Sequence, residues 1–330
     1  MKNLKIPYSE IKKIAVFRAL QLGDMLCSIP ATRSLRAAYP DAEITLLGLP
    51  WAKSLTERFP SYFDRFIWFP GFPGLPEQTF SPTLFAAFLD KVVREKFDLA
   101  IQMQGNGTIV NPMVELFGAD YTAGFYTEGN YRPSNGLFIK YPNEGYEAER
   151  HLKLMEFLGI ESLGPDLEFP ILEKDYEDLR ESAFSLEEKK YVCIHPGSRG
   201  VSRRWPPEYF AKLADIVAEE GLVPVITGTK EEIDIATQVA SHMTTIPVIA
   251  AGKTTLGAVA VLLNHSYGLI SNCTGVSHIA AALKLPSVVI SLDGEPERWA
   301  PQNRQIHEVI DWTVTPDFEL ARQAVLRLLA

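Results

Sequence analysis

The sequence predicts an α/β protein of two successive doubly wound domains, and three observations carry that expectation. Short β-branched runs alternate with helical patterns along most of the chain, the rhythm of βαβ units on a parallel sheet. The length, 330 residues, is about twice that of an ordinary domain of roughly 150. Near the middle, Gly159, Gly164, Pro165 and Pro170 interrupt the rhythm, which places a boundary between residues 1–170 and 171–330.

Each element follows from local pattern. Lys13–Phe17 (KIAVF) reads as a buried opening strand, 24–38 as a helix and Glu43–Leu47 as a second strand. A helix over 82–96 leads into a strand at Asp98–Gln102. Residues 60–80, crowded with Pro, Phe and Gly, read as an irregular surface loop that covers a site. In the second half, strands are expected at Tyr191–His195, Val223–Thr227, Val248–Ala250, Tyr267–Ser271 and Ser287–Ser291. Helices over 207–220, 230–241, 256–264 and 275–284 alternate with them.

Composition narrows the function. Net charge is -9, with the first 160 residues neutral at 17 basic and 17 acidic side chains and all of the excess in the rest. That excludes a nucleic-acid binder working through broad positive charge. Cys27, Cys193 and Cys273 form no C-x-x-C pair or disulfide framework, as in a reducing compartment. The N-terminal MKNLKIPYSEIKK is polar and no apolar run reaches the ~20 residues of a membrane span. A cytoplasmic protein is therefore expected.

In open parallel sheets ligands gather beyond the carboxyl ends of the strands, and four segments fall there. In the first, Arg18–Asp24, Gly23 permits a tight turn and Asp24 opens the helix. Asp24 is either a helix cap or a carboxylate available as a general base. The second, His195–Pro206, offers Gly197, Ser198 and Gly200 to an anion, with Arg199, Arg203 and Arg204 close by. Guanidinium groups grip phosphate oxygens in pairs; the bland alternative is a solvated basic loop. In the third, Gly228–Glu232, Glu231 or Glu232 either accepts from a ribose diol or simply complements a helix dipole. The fourth, Ser271–His278, puts small residues, Thr274 and Gly275 among them, where helix N–H groups meet a diphosphate; His278 lies one turn in, where a histidine is more often structural. Ahead of it, Ala250–Leu256 offers a backbone edge for a nucleobase. No dinucleotide fingerprint, P-loop, H-E-x-x-H, G-x-S-x-G or D-x-D is present, so an NAD-linked oxidoreductase is disfavoured and no metal or other cofactor is expected.

Taken in order, these segments resemble glycosyltransferase family nine, the ADP-heptose:lipopolysaccharide heptosyltransferases, over about residues 12–310. Gly23, Asp24 and Pro30 match a G-D-x-x-x-x-x-P element, and Pro196, Gly197, Ser198, Arg204, Trp205 and Pro206 match a P-G-(S/A)…K-R-W-P loop. Gly252–Leu256 is similar to G-K-T-S-L, and Ser271, Asn272, Thr274, Gly275, His278 and Ile279 match S-N-D-T-G-x-x-H-(L/I)-A-A-A.

The resemblance implies a GT-B fold, two Rossmann-like domains facing a central cleft, with acceptor on the first and nucleotide-sugar on the second. It implies inverting, metal-independent transfer from a nucleotide-diphospho-sugar, ADP-heptose first among them, to a glycan or lipid-linked sugar. Asp24 is then the catalytic base, with Arg18 and Gly23 on the acceptor side. Ser198, Arg199, Arg203, Thr274 and Gly275 face the diphosphate, Glu231 or Glu232 the ribose and Thr254 the adenine edge, with His278 nearby. Domain closure would bring Asp24 to the donor and exclude water.

Two positions depart from the family. Cys273 stands where an acidic residue near the donor is usual, and Arg203 where Lys is common. The first leaves room for a UDP- or GDP-sugar donor, or for a non-catalytic nucleotide-sugar-binding protein. A lipid-linked acceptor implies peripheral contact with the inner membrane, for which residues 62–80 are the candidate; the same aromatics could pack onto their own domain.

Overall fold

The computed structural model describes residues 4–182, 184 and 186–330. The chain divides into two units, Met1–Asp166 and Leu167–Ala330. The first runs β1 (Lys13–Phe17), α1 (Leu22–Ala38), β2 (Glu43–Gly48), α2 (Lys53–Arg58), β3 (Arg65–Trp68), α3 (Pro82–Glu95), β4 (Leu99–Gln102), α4 (Val110–Glu115), β5 (Tyr121–Tyr126), β6 (Leu137–Lys140) and α5 (Glu147–Phe157). Its strands form one parallel sheet in the order β3-β2-β1-β4-β5-β6.

The second unit runs α6 (Glu173–Glu181), β7 (Tyr191–His195), α7 (Pro207–Glu219), β8 (Val223–Ile226), α8 (Ile233–His242), β9 (Val248–Ile249) and α9 (Leu256–His265). It continues with β10 (Gly268–Asn272), α10 (Gly275–Ala282), β11 (Ser287–Ser291), α11 (Pro296–Trp299), β12 (His307–Asp311) and α12 (Phe318–Leu329). The parallel order β12-β11-β10-β7-β8-β9 repeats the winding of the first unit. Each sheet therefore has one point where strand order reverses, between β1 and β4 and between β7 and β10. Ligands of doubly wound sheets bind at such points.

Buried apolar strands explain the centres of both sheets. Four of the five residues of β1, and every residue of β7 and β10, are buried, as strands covered by helices on both faces require. Below the first sheet Phe17, Phe69, Phe88 and Phe117 interlock edge to face, with ring centroids 4.9–6.1 Å apart.

Residues 60–80 are not the loop that their composition implies. Arg65–Trp68 is strand β3, paired with β2 from Thr45↔Arg65 to Gly48↔Trp68, and Phe69 is buried in the core. Arg65 fastens this edge by bonding Glu43 at 2.9 Å and Glu95 at 2.7 Å. The Pro and Gly content belongs to the turn after the strand, and it hid a four-residue strand. The expected 230–241 helix is a short 3-10 turn, Lys230–Glu232, followed by α8. No helix among the described residues is long and apolar enough to cross a membrane.

Candidate active site

At the switch point of the first unit, the chain leaves β1 at Arg18 and enters helix α1 at Leu22, two residues before Asp24. The helix is capped by Gln21, so Asp24 occupies its third position and Gly23 its second. Gly23 thus sits in regular helix and not in a tight turn. The Asp24 carboxylate accepts the backbone N–H of Gln21 and its own, the reciprocal half of a capping box. It caps from inside the helix, with its remaining acceptor capacity free for other work.

Arg18 fixes this turn. Its Nε donates to the Asp24 carbonyl at 2.9 Å, Nη1 to the Met103 carbonyl beyond β4, and Nη2 lies 3.5 Å from Glu147 of α5. The side chain is completely buried. Arg18, expected on the acceptor side, is wholly covered here, and its bonds hold the turn that carries Asp24. Glu147 itself lies 3.3 Å from His151 Nε2 and 3.9 Å from Arg150, all on one face of α5.

These charges act on Asp24. Burial raises its pKa above the ordinary carboxylate value, Arg18 opposes the rise and Glu147 adds to it. A carboxyl that is harder to ionise than a free aspartate, at the C-terminal edge of a doubly wound sheet, holds a proton more readily than an exposed one and has the chemistry to accept one. Beside it, Gln104 accepts the Ala19 N–H at 2.7 Å, and Gln102 donates to Asn111 at 3.0 Å. Gly107 has φ +82°, and a Cβ there would lie 2.2 Å from the Phe125 carbonyl and 2.5 Å from the Asn111 amide. Only glycine fits.

In the second unit one buried asparagine organises the switch point. Asn272, at the end of β10, donates to the carbonyls of Pro196 at 2.8 Å and Gly197 at 3.3 Å and accepts the Trp205 N–H at 3.0 Å. Both ends of the arginine-rich loop are thereby held against β10. Trp205 is fully buried, with Tyr209, Phe210 and Trp312 at 5.0–5.2 Å between ring centroids. Ser198 is buried and its carbonyl accepts Arg204 Nε at 2.7 Å, while Arg199 and Arg203 remain exposed.

Glu231 and Glu232 part company. Glu232 is buried, accepts the Thr229 N–H at 2.8 Å and lies 3.9 Å from His195, whose pKa burial lowers. A Cβ on Gly197 would sit 2.2 Å from its carboxyl carbon, so the close approach of the two segments requires that glycine. Glu231 is exposed, and its own N–H and the Thr229 hydroxyl hold its pKa down.

Thr274 caps α10 at the backbone level and Gly275 is its first residue. The hydroxyl oxygens of Thr254, Ser271 and Thr274 are buried and have no hydrogen-bond partner. His278 is buried in the first turn of α10. Cys273, expected on the donor side, packs with Val289, Ala300 and Trp299, and burial pushes its thiol up to about 12. Among the described residues, no three His, Cys, Asp or Glu side chains gather as a metal site would require.

Sequence reading missed Glu147, Arg150, His151 and Asn272 as parts of these sites. The E-x-x-R-H spacing of α5, three titratable groups on one helical face, was the available signal for the first three. Asn272 stood in a matched motif without a stated role.

Comparison with known proteins agrees with this architecture. The profile of glycosyltransferase family 9 (heptosyltransferase) matches residues 86–326. Lipooligosaccharide heptosyltransferase 2 of Haemophilus ducreyi is 25% identical over 312 residues, covering 89% of this chain and 87% of the relative. Among solved structures, a family 9 glycosyl transferase from Veillonella parvula superposes with a TM-score of 0.82 at 22% identity, covering 99% of both chains. The E. coli ADP-heptose lps heptosyltransferase II gives 0.76 at 19% identity, covering 97% of this chain and 98% of the other. With two six-stranded Rossmann-like units in the GT-B arrangement of elements and a family match over most of its length, the chain belongs to glycosyltransferase family 9 and is a glycosyltransferase.

Proposed function

We propose that this chain transfers heptose from ADP-heptose to a lipopolysaccharide-core-type or other glycan acceptor, by inverting displacement and without a metal. The observation that carries the donor half is the set of three buried, unpartnered hydroxyl oxygens on Thr254, Ser271 and Thr274. Buried polar atoms are nearly always satisfied, and these three belong to the two segments at the ends of β9 and β10. A bound nucleotide diphosphate supplies the missing partners. The names of the relatives, heptosyltransferases among them, support heptose as the sugar and ADP as the carrier.

The step follows from the groups available. Asp24 takes the proton of an acceptor hydroxyl as its oxygen bonds to the anomeric carbon. The bond from that carbon to the diphosphate breaks on the opposite face, and ADP leaves with the electron pair. Arg199, Arg203 and the N-terminus of α10 balance the charge that develops on the leaving group. The ribose meets the Glu231–Glu232 turn, and the adenine lies by Thr254. Peripheral contact with the cytoplasmic face of the inner membrane belongs to the same proposal. The exposed Trp68, Phe80 and Leu84 support it, although most aromatics of residues 62–80 pack within their own unit.

Calorimetric titration with ADP, UDP and GDP tests the donor assignment. ADP is expected to bind most tightly. A preference for UDP or GDP would replace heptose by another sugar, and binding of none would remove the donor site.

A further inference from the structure

We infer that Asp293 is the carboxylate that recognises the donor's sugar, accepting hydrogen bonds from its hydroxyl groups while Arg203 is drawn to the diphosphate. The inference rests on the donor-site reading given above. Asp293 lies two residues past the end of β11, in the turn next to the Cys273–Thr274 segment. There the Cys273 N–H donates to the Ile290 carbonyl at 2.8 Å, locking the ends of β10 and β11 side by side.

The two carboxylate oxygens of Asp293 are in different situations. Oδ1 is fixed, accepting the Ser291 hydroxyl at 2.9 Å and the Glu295 N–H at 3.1 Å. Oδ2 faces Arg203 Nη1 at 4.0 Å, too far for a hydrogen bond. One oxygen therefore sets the orientation of the group and the other keeps its acceptor capacity. The Asp293 side chain is only 8% exposed whereas that of Arg203 is 52% exposed, so the pair opens to solvent on the arginine's side. A shielded, oriented carboxylate beside an exposed cation suits a ligand that carries anion and hydroxyl groups together. The diphosphate competes for Arg203, and the vacated Oδ2 accepts from the sugar. Cys273 cannot do this work, because it is turned into the apolar cluster of Val289 and Ala300.

Asp293→Asn tests the assignment, because asparagine keeps the Oδ1 acceptor and with it the turn to Glu295. Affinities of wild type and variant for ADP and for ADP-heptose are measured by calorimetry without acceptor. The variant is expected to bind ADP as well as wild type or more tightly, Arg203 being released. Its affinity for ADP-heptose should fall about tenfold or more, the worth of one hydrogen bond to a charged group. Unchanged affinity for ADP-heptose, or equal weakening for both ligands, would overturn the assignment. If wild type itself binds neither ligand, the donor reading fails first and this inference falls with it, a result the variant is not needed to see.

Discussion

Replacing Asp24 by asparagine is expected to lower transfer by about 10²–10⁴-fold, the usual contribution of a positioned general base, with ADP affinity unchanged. Asparagine retains the oxygen that accepts the Gln21 N–H, so the helix turn survives and the loss isolates proton transfer. The base works only when ionised, so the rate falls as pH drops through its pKa. That pKa is raised above the ordinary value of 3.8 by burial and by Glu147, which moves the acid limb to higher pH than a free aspartate would give. Glu147→Gln removes the raising charge while burial continues to oppose Arg18, so the limb moves to lower pH but stays above that of a free aspartate.

The same shift has a stability consequence of definite sign. An acid whose folded pKa is raised binds its proton more tightly in the folded state, so stability declines as pH rises from the unfolded value towards the folded one, and the cost persists above it. At pH 7 Asp24→Asn is therefore expected to raise Tm while abolishing most activity, the trade commonly seen when a functional group is buried against its preference. A variant with full activity, or one whose ADP binding falls together with transfer, would contradict this role. The pH–rate profile and a thermal melt of the same preparation provide both readings.

Trp205→Ala is expected to cost about 3–5 kcal/mol, the range for deleting a large buried aromatic. The indole is completely buried, ringed by Tyr209, Phe210 and Trp312, with Phe318 stacked at 6.1 Å. Its backbone N–H is also one of the bonds to Asn272 that hold the arginine loop. Loss of the ring therefore loosens the loop that carries Arg199 and Arg203, and donor affinity should fall along with stability. Trp205→Phe keeps most of the edge-to-face contacts and should recover much of both. Denaturant unfolding followed by fluorescence or circular dichroism gives the free energy, and ADP titration gives the second readout. A loss below about 1 kcal/mol would mean that the cluster repacks and that Trp205 does not anchor the loop.

Much of the fold was legible because the buried strands are short, apolar and separated by helical runs. Lys13–Phe17, Tyr191–His195 and Ser287–Ser291 have the predicted ends residue for residue. β3 was illegible because Phe69, Phe72 and their neighbours supply core aromatics from a segment whose prolines and glycines signal a turn. The start of α1 was misplaced because Asp is a favoured cap, whereas Gln21 takes that position without a side-chain bond.

The sites divide in the same way. Asp24, Arg203 and Thr274 were candidates because short motifs single them out locally. What tunes them comes from far along the chain: Glu147 reaches the Asp24 turn through Arg18, and Asn272 holds the loop at 196–205. No single-sequence pattern reports such pairings. The substitution at Cys273 gained its meaning only in three dimensions, where the thiol faces Val289 and Ala300 while the Asp293 carboxylate stands near Arg203.

We propose that this family 9 chain moves heptose from ADP-heptose with Asp24 as its base. The most direct measurement is transfer to a heptose-deficient lipopolysaccharide core acceptor, followed by mass spectrometry, with ADP-heptose, a UDP-hexose and a GDP-hexose offered to wild type and to Asp24→Asn. One added heptose from ADP-heptose alone is expected, saturating with donor, with a rate at least about 10²-fold lower in the variant. Addition of a hexose from another carrier, or equal heptose transfer by the variant, would contradict it.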